Sequence, residues 1–598
     1  MVATHVKFRT GTALMAAIAA IGITAPPAAT AQSLSSERGI SGSMAAHYNQ
    51  AGQRAAIPRI LSDEERSLYR DVFTAIDEER WDRVELLLFG REGEVLHQVA
   101  LAEYYTDANS PRIEAQQLGN WLEQGVHLPQ TAQIARLGER RGLQRLPRIP
   151  ETQSLRRQPA ASKRIKPKPV DDGSMPQSSS AAILEAIRND DPFTARAILQ
   201  DVDNGLSPQA RAEWRQRVAW SFYIENDDRS ALALASTVSD GSGAWVAEGE
   251  WVAGLAAWRL GDCELAGGAF ARSAAGSSNV ELTSAAHYWA HRSAVRCRDP
   301  GTAQRHLRLA AQHDETLYGM LAGDQLALAL PSTSGSEPFA SDDWNAIRGR
   351  ANVRVAAALA EIGRPALADE VLRHEAGIGA PRDYPVLARF ARELGLISTQ
   401  RFMAYNAPYG VDADPVLRYP VAAWQPSNGW RIDPALAFAH ALQESNFRTA
   451  AVSPADARGL MQITPITVRE HAPRLNMSAS YVDLNDPEVN LAFGQQNLEM
   501  LRDHPATRGQ LPKIMAAYNA GLTPVIRWNT EIRDFGDPLL WMESIPYWET
   551  RGYVAIVMRN YWMYERAAGI PSPSRRALAE GRWPDFPQAR LADTRASR

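Results

Sequence analysis

The chain has two cysteines in 598 residues, Cys263 and Cys297. Two are too few for a disulfide-dense scaffold, and they lack the clustering of a zinc site. In an oxidising compartment they can pair with each other; two small buried hydrophobes in a helical array would look the same in sequence, and both readings stay open. A surplus of charge is also missing. The formal net charge of −4 gives no whole-chain argument for nucleic acid or an anionic membrane. No long hydrophobic run compensates: the apolar stretch "ALMAAIAAIGI" at 13–23 has 11 residues, short of the ~20 needed to cross a bilayer. Lys7 and Arg9 precede it and the small residues "ATA" (29–31) follow it, so residues 1–31 read as a cleaved secretory signal with no cysteine at the cut to carry a lipid. Their removal takes two cations and no acid, and the mature charge becomes −4 − 2 = −6.

What remains is ordinary soluble globular material, with 45% hydrophobic and 22% charged residues. At roughly 100–200 residues per domain the length suggests three to five units. Residues 32–58, rich in Ser, Gly and Ala without periodicity, are expected to be disordered. A helical pattern occupies 59–144, as in "ERSLYRDVFTAIDEERWDRVELLLFG". Residues 145–180 combine Pro, Ser and basic side chains with almost no apolar ones and read as an extended, solvated linker.

After the linker, "NDDPFTARAIL", "ENDDRSALALA", "LGDCELAGGAF" and "CRDPGTAQRHL" align through Ala195, Ala231, Ala266 and Ala303, at spacings of 36, 35 and 37 residues; Ala368 in "IGRPALADEVL" follows at about twice that period. This is the period of a helix–turn–helix repeat in which a small residue lets paired helices approach closely. The spacing predicts an α-superhelix over 181–400, a Pro- and aromatic-rich connection over 401–430, a compact domain over 431–570 and a polar tail over 571–598. The fold class is all-α.

Chemistry points to one carboxylate. Asp433 and Pro434 are N-cap and first-turn residues for the helix "PALAFAHALQES". Leu436, Ala439, Ala441 and Leu442 mark its apolar stripe, and Glu444 lies on the stripe's edge in the last turn. The negative end of the helix dipole and an apolar wall both disfavour ionisation there, raising the pKa toward that of a general acid. Taken alone, Glu444 reads more readily as a solvated helix end, because Glu is seldom buried.

Four motifs change that reading. "QES" (443–445), "GLMQITP" (459–465), "AYNAG" (517–521) and "ESIPYWETRGYVAIVMRNYWMY" (543–564) resemble, in order and spacing, the soluble lytic transglycosylase family. The superhelix resembles the family's ring-forming helical region. The resemblance implies a lysozyme-like domain acting on peptidoglycan strands in the periplasm, with Glu444 as sole catalytic acid and with no metal or cofactor. It implies that Ser445 hydrogen-bonds around Glu444, that Gln462 and Thr464 line the cleft, and that Tyr518 sits against the reacting sugar with Asn519 bracing its turn. Glu549 would be a substrate-binding acid and Tyr553 would complete the set. Where the family has glycine, Asp456 stands; Asp tolerates left-handed backbone, so the loop can still form.

Most glycosidases use two carboxylates; one suffices if the sugar supplies its own nucleophile. The resemblance implies cleavage between N-acetylmuramic acid and N-acetylglucosamine with formation of a 1,6-anhydro end. Two rivals are a lysozyme-like hydrolase using the same acid with water, and a helical scaffold that only binds glycan. Other cell-wall enzymes are further candidate partners; nucleic acid and a membrane-spanning segment in the mature chain are not expected. Because ~135 residues can bury a core of their own, 431–570 is expected to fold in isolation, with 181–400 guiding the strand.

Overall fold

The computed structural model describes residues 56–328, 337 and 339–587. The expected signal peptide, nearly all of 32–58 and the end of the tail lie outside them. Among the described residues the fold is all-α, relieved by two short strands, Leu155–Arg157 and Asn406–Pro408, which pair antiparallel.

The repeats have a local cause. In four of them an aspartate caps the second helix: Asp191, Asp227, Asp262 and Asp299 each accept a hydrogen bond from the backbone N–H three residues on. The residue just before each cap is in the left-handed region, Asp190, Asn226, Gly261 and Arg298, which turns the chain sharply back on itself. The aligned alanines lie four residues after the cap and are at most 5% exposed, as is Ala368. A larger side chain at those points would push the paired helices apart. Cys263 and Cys297 are bonded, with Cα atoms 5.6 Å apart, and tie the start of one repeat to that of the next.

Packing divides the helices differently from the sequence. Residues 183–322 share one hydrophobic core with 419–586. Helices of 341–405, expected to continue the superhelix, share a second core with the N-terminal helices of 61–135. Specific bonds pin that second pairing. Glu361 accepts from the backbone N–H groups of Ile60 and Leu61 at 2.7 and 3.2 Å, and Arg364 makes a two-pronged ion pair with Asp77.

Residues 145–176 are largely extended but are not a solvated spacer, and 177–180 already belong to the helix Gln177–Arg188. Gln153 bonds the backbone of Ala376, Gly377 and Gly379, and Leu155–Arg157 add the strand that pairs with Asn406–Pro408. Further on, Ser162 donates to Glu281, Arg164 pairs with Glu248 and Glu543, and Val170 donates to Glu213. It is a strap across both cores. The tail also departs from expectation: Pro573–Ala579 is a helix, Leu578 and Phe586 are buried in the first core, and the Phe586 N–H donates to Gly509 at 2.7 Å.

Candidate active site

The helix Pro434–Glu444 begins as its sequence dictates: the Asp433 carboxylate accepts from the Ala435 N–H at 2.9 Å and from the Tyr561 hydroxyl at 2.8 Å. Its end is abrupt. Asn446 and Phe447 are both left-handed, with φ of 60° and 63°, and Phe447 turns into the core. Glu444 is therefore the last helical residue, partly buried at the edge of the apolar wall.

Two long helices complete the surroundings. From Trp548–Ala567 comes Tyr553, 4% exposed, whose hydroxyl lies 2.7 Å from Oε1 of Glu444 and 2.7 Å from Nδ1 of His440. From Leu511–Ala520 comes Tyr518, whose ring lies 4.6 Å from that of His440 and whose hydroxyl donates to the Met461 carbonyl at 2.7 Å. Burial pushes the Glu444 carboxyl up to about 7 from an ordinary 4.5; the hydrogen bond from Tyr553 works the other way, and the charge of Glu549 raises it further. Burial also holds both phenols well above their usual range, so each keeps its proton at working pH.

The loop 451–464 forms the next wall. Asp456 is left-handed at φ 59°, as its residue type allows, and accepts from Arg458 at 2.9 Å. Gly459 has φ 75°, and a Cβ there would sit 2.1 Å from the Asn490 amide nitrogen and 2.2 Å from the Leu484 carbonyl. Asn490, fully buried, accepts from the Met461 N–H and donates to the Arg458 and Leu484 carbonyls. It holds the loop from below, a role only hinted at by a polar residue inside the apolar run "NLAFG".

The remaining expected residues divide. Gln462 donates to the carbonyls of Ala451 and Gly459 and so braces this loop, while Thr464 caps the helix Pro465–His471. Asn519 accepts from the Thr550 hydroxyl at 2.7 Å, joining the two tyrosine-bearing helices. Glu549 is exposed and acts on Glu444 through its charge. Ser445 differs from expectation: its buried hydroxyl donates to the Ala441 carbonyl at 3.2 Å and satisfies the helix end, not the Glu444 carboxylate. Glu543, the first residue of the motif 543–564, is buried against Tyr318 and Arg164 and is not a second acid beside Glu444. His440 carried no sequence signal beyond its place in the apolar stripe.

A carboxyl near neutral pKa, walled by apolar groups and held by one phenol, can donate a proton and take one back. Comparison with known proteins fits this chemistry. Residues 423–539 match the Transglycosylase SLT domain, a span that contains Glu444, Gln462 and Tyr518 but stops before Glu549 and Tyr553. The soluble lytic murein transglycosylase of Escherichia coli K12 is 34% identical over 134 residues, 22% of this chain and 20% of that protein. Its namesake in Salmonella typhimurium is 33% identical over 191 residues, 31% of this chain and 27% of that protein. The matches thus span about a fifth to a quarter of the relatives' length. The crystal structure of the 70 kDa soluble lytic transglycosylase of Escherichia coli superposes with a TM-score of 0.50 at 17% identity, covering 88% of this chain and all of that one, a likeness of fold.

Proposed function

We propose that this chain, a member of the soluble lytic transglycosylase family through its C-terminal domain, cleaves peptidoglycan strands between N-acetylmuramic acid and N-acetylglucosamine without consuming water. The observation that carries the reading is the state of Glu444: burial brings it to about 7, so that acid and base forms are both populated near neutral pH. Protonated Glu444 donates to the bridging oxygen as the bond to the anomeric carbon breaks. The glutamate then takes the proton of the muramoyl 6-hydroxyl, whose oxygen attacks that carbon and closes a 1,6-anhydro ring. The proton is conserved over the cycle, and no second carboxylate is required. Tyr553 supports the anionic stage by donating to Oε1, and exposed Glu549 is the acid expected to bind substrate. The protein is expected to act after export, in the periplasm.

Muropeptides released from purified sacculi decide the matter by mass. Anhydro ends are expected, lighter by one water than the reducing ends a lysozyme-like hydrolase would leave. Reducing ends would overturn the mechanism, and intact sacculi with bound protein would favour a glycan-binding scaffold.

A further inference from the structure

We infer that His440 sets the direction of the Tyr553 hydroxyl, so that the hydroxyl donates to Oε1 of Glu444 throughout the cycle and leaves Oε2 to carry the reactive proton. This rests on the reaction proposed above. His440 acts through Tyr553 and is a positioning residue.

The argument is a count of protons. The Tyr553 oxygen lies 2.7 Å from both Oε1 of Glu444 and Nδ1 of His440, yet it has one hydrogen to give. His440 is fully buried, and burial pushes its imidazole down to about 3, so it is neutral and carries one N–H. Two arrangements are available. In the first, His440 Nδ1–H donates to Tyr553, and Tyr553 donates to Oε1. In the second, a protonated Oε1 donates to Tyr553, Tyr553 donates to Nδ1, and the imidazole hydrogen moves to Nε2.

The surroundings choose between them. Nε2 of His440 is buried with no partner among the described residues. The second arrangement strands an N–H donor there, whereas the first strands only a lone pair, and buried unpaired donors are the rarer case in folded proteins. The side groups packed on the imidazole do not offset this. Tyr518 presents its ring and turns its hydroxyl to the Met461 carbonyl, Tyr553 is the bonded partner and stands between the ring and Glu444, and burial is the cause of the shift at His440. The catalytic consequence follows directly. The second arrangement would store the acid's proton in an internal bond facing away from substrate. The first keeps Oε1 occupied whether Glu444 is protonated or not, so the transferable hydrogen resides on the other oxygen and no hydroxyl has to reorient between the two steps.

Two variants and one spectroscopic measurement test this in the full-length protein. His440→Phe removes the donor and lets the Tyr553 hydroxyl accept from Oε1–H. Its plateau rate on sacculi should fall on the order of tenfold, and its alkaline limb should move to higher pH, because the new bond favours protonated Glu444. His440→Asn places an amide N–H near the position of Nδ1 and should restore both plateau and limb. A plateau fall with an unmoved limb, or no rescue by His440→Asn, would reduce His440 to packing. Independently of activity, the 15N-histidine resonance missing from His440→Asn should report a neutral ring protonated at Nδ1 from pH 5 to 8. Protonation at Nε2, or a charged ring, overturns the inference even if the enzyme is active. A parent protein that releases no anhydro product would sink the reaction instead, and the tautomer would still decide the hydrogen-bond direction. Should His440→Phe not fold, His440→Asn and the tautomer decide the matter.

Discussion

Replacing Arg164 by methionine should unfasten the strap from the catalytic core. The guanidinium lies 2.8 Å from Glu248 and 3.3 Å from Glu543, with side-chain exposures of 14%, 4% and 9%, and it stacks 4.6 Å from the centre of the Trp251 ring. Methionine keeps much of the stem's packing but leaves two buried carboxylates facing each other. Glu543 retains the Tyr318 hydroxyl at 2.7 Å, which does not neutralise it. Breaking a buried ion pair from one side costs about 3–5 kcal/mol, and at about 2 °C per kcal/mol for a body of this size the unfolding midpoint should fall by about 6–10 °C. Thermal unfolding followed by circular dichroism measures it. Two controls separate charge from shape: Arg164→Met combined with Glu248→Gln and Glu543→Gln should recover most of the loss, and Arg527→Ala, which breaks an ion pair exposed at 58% and 48%, should shift the midpoint by less than about 2 °C. An Arg164→Met midpoint no lower than that of Arg527→Ala would refute the view of 145–180 as a structural strap.

Glu444→Gln should keep the fold while turnover drops by about 10²–10⁴-fold, since an amide of the same shape delivers no proton; parent-like release of muropeptides would end the mechanism. The same carboxyl sets a pH dependence of stability. An acid raised from 4.5 to about 7 in the fold binds its proton more tightly folded than unfolded, so its contribution is intact below the lower value and lost as pH rises through the upper one, at most about 3 kcal/mol. Urea unfolding should therefore place Glu444→Gln above the parent in stability at pH 8 and not at pH 4.5, and equal differences at both values would contradict the buried site. For the disulfide, the 34-residue separation implies a loss of roughly 3–4 kcal/mol on reduction, and denatured, unreduced protein should show no free thiol; two titratable thiols would exclude the bond. Against the expectation from its length alone, an isolated 431–570 fragment should lack a cooperative transition, because it shares its core with 183–322 and its Ser544 bonds Tyr223 and Arg259 and its Arg559 bonds Glu281, all outside the fragment; a sharp transition would show that the shared core is dispensable.

Features whose cause is local were legible in the sequence. The repeat could be seen because each copy carries its own cap and its own small residue: Asp191 with Ala195, Asp227 with Ala231, Asp262 with Ala266, Asp299 with Ala303. Asp433 and Pro434 announce the helix that ends at Glu444, and Asp456 takes the left-handed backbone its side chain tolerates. His440 was invisible for the opposite reason. It looks like one more member of an apolar stripe, and its meaning depends on Tyr553, 113 residues later. Ser445 misled because its residue type suits both a catalytic neighbour and a helix end, and the helix end claimed its hydrogen bond. The grouping of 341–405 with the N-terminal helices rests on pairs such as Ile60 with Glu361, 301 residues apart, for which no spacing rule exists.

The strap shows why composition failed most where distance was greatest. Polar, basic and proline-rich sequence reads as solvated because such residues bury no core of their own. That reasoning holds for a segment judged alone, but Arg164 finds its counter-charges 84 and 379 residues away, in two carboxylates that would themselves be buried and unpaired without it. Each side supplies what makes the other tolerable in the interior. The segment makes few bonds within itself, and its partners lie on surfaces built by the first core, which joins 183–322 to 419–586. Its Gln153 and Leu155–Arg157 meanwhile require the second core, at 376–408. Closing loops of this length is entropically unfavourable on its own, so the strap's bonds depend on both cores being in place. The Arg164–Glu543 contact therefore joins the strap to the core that 183–322 and 419–586 share.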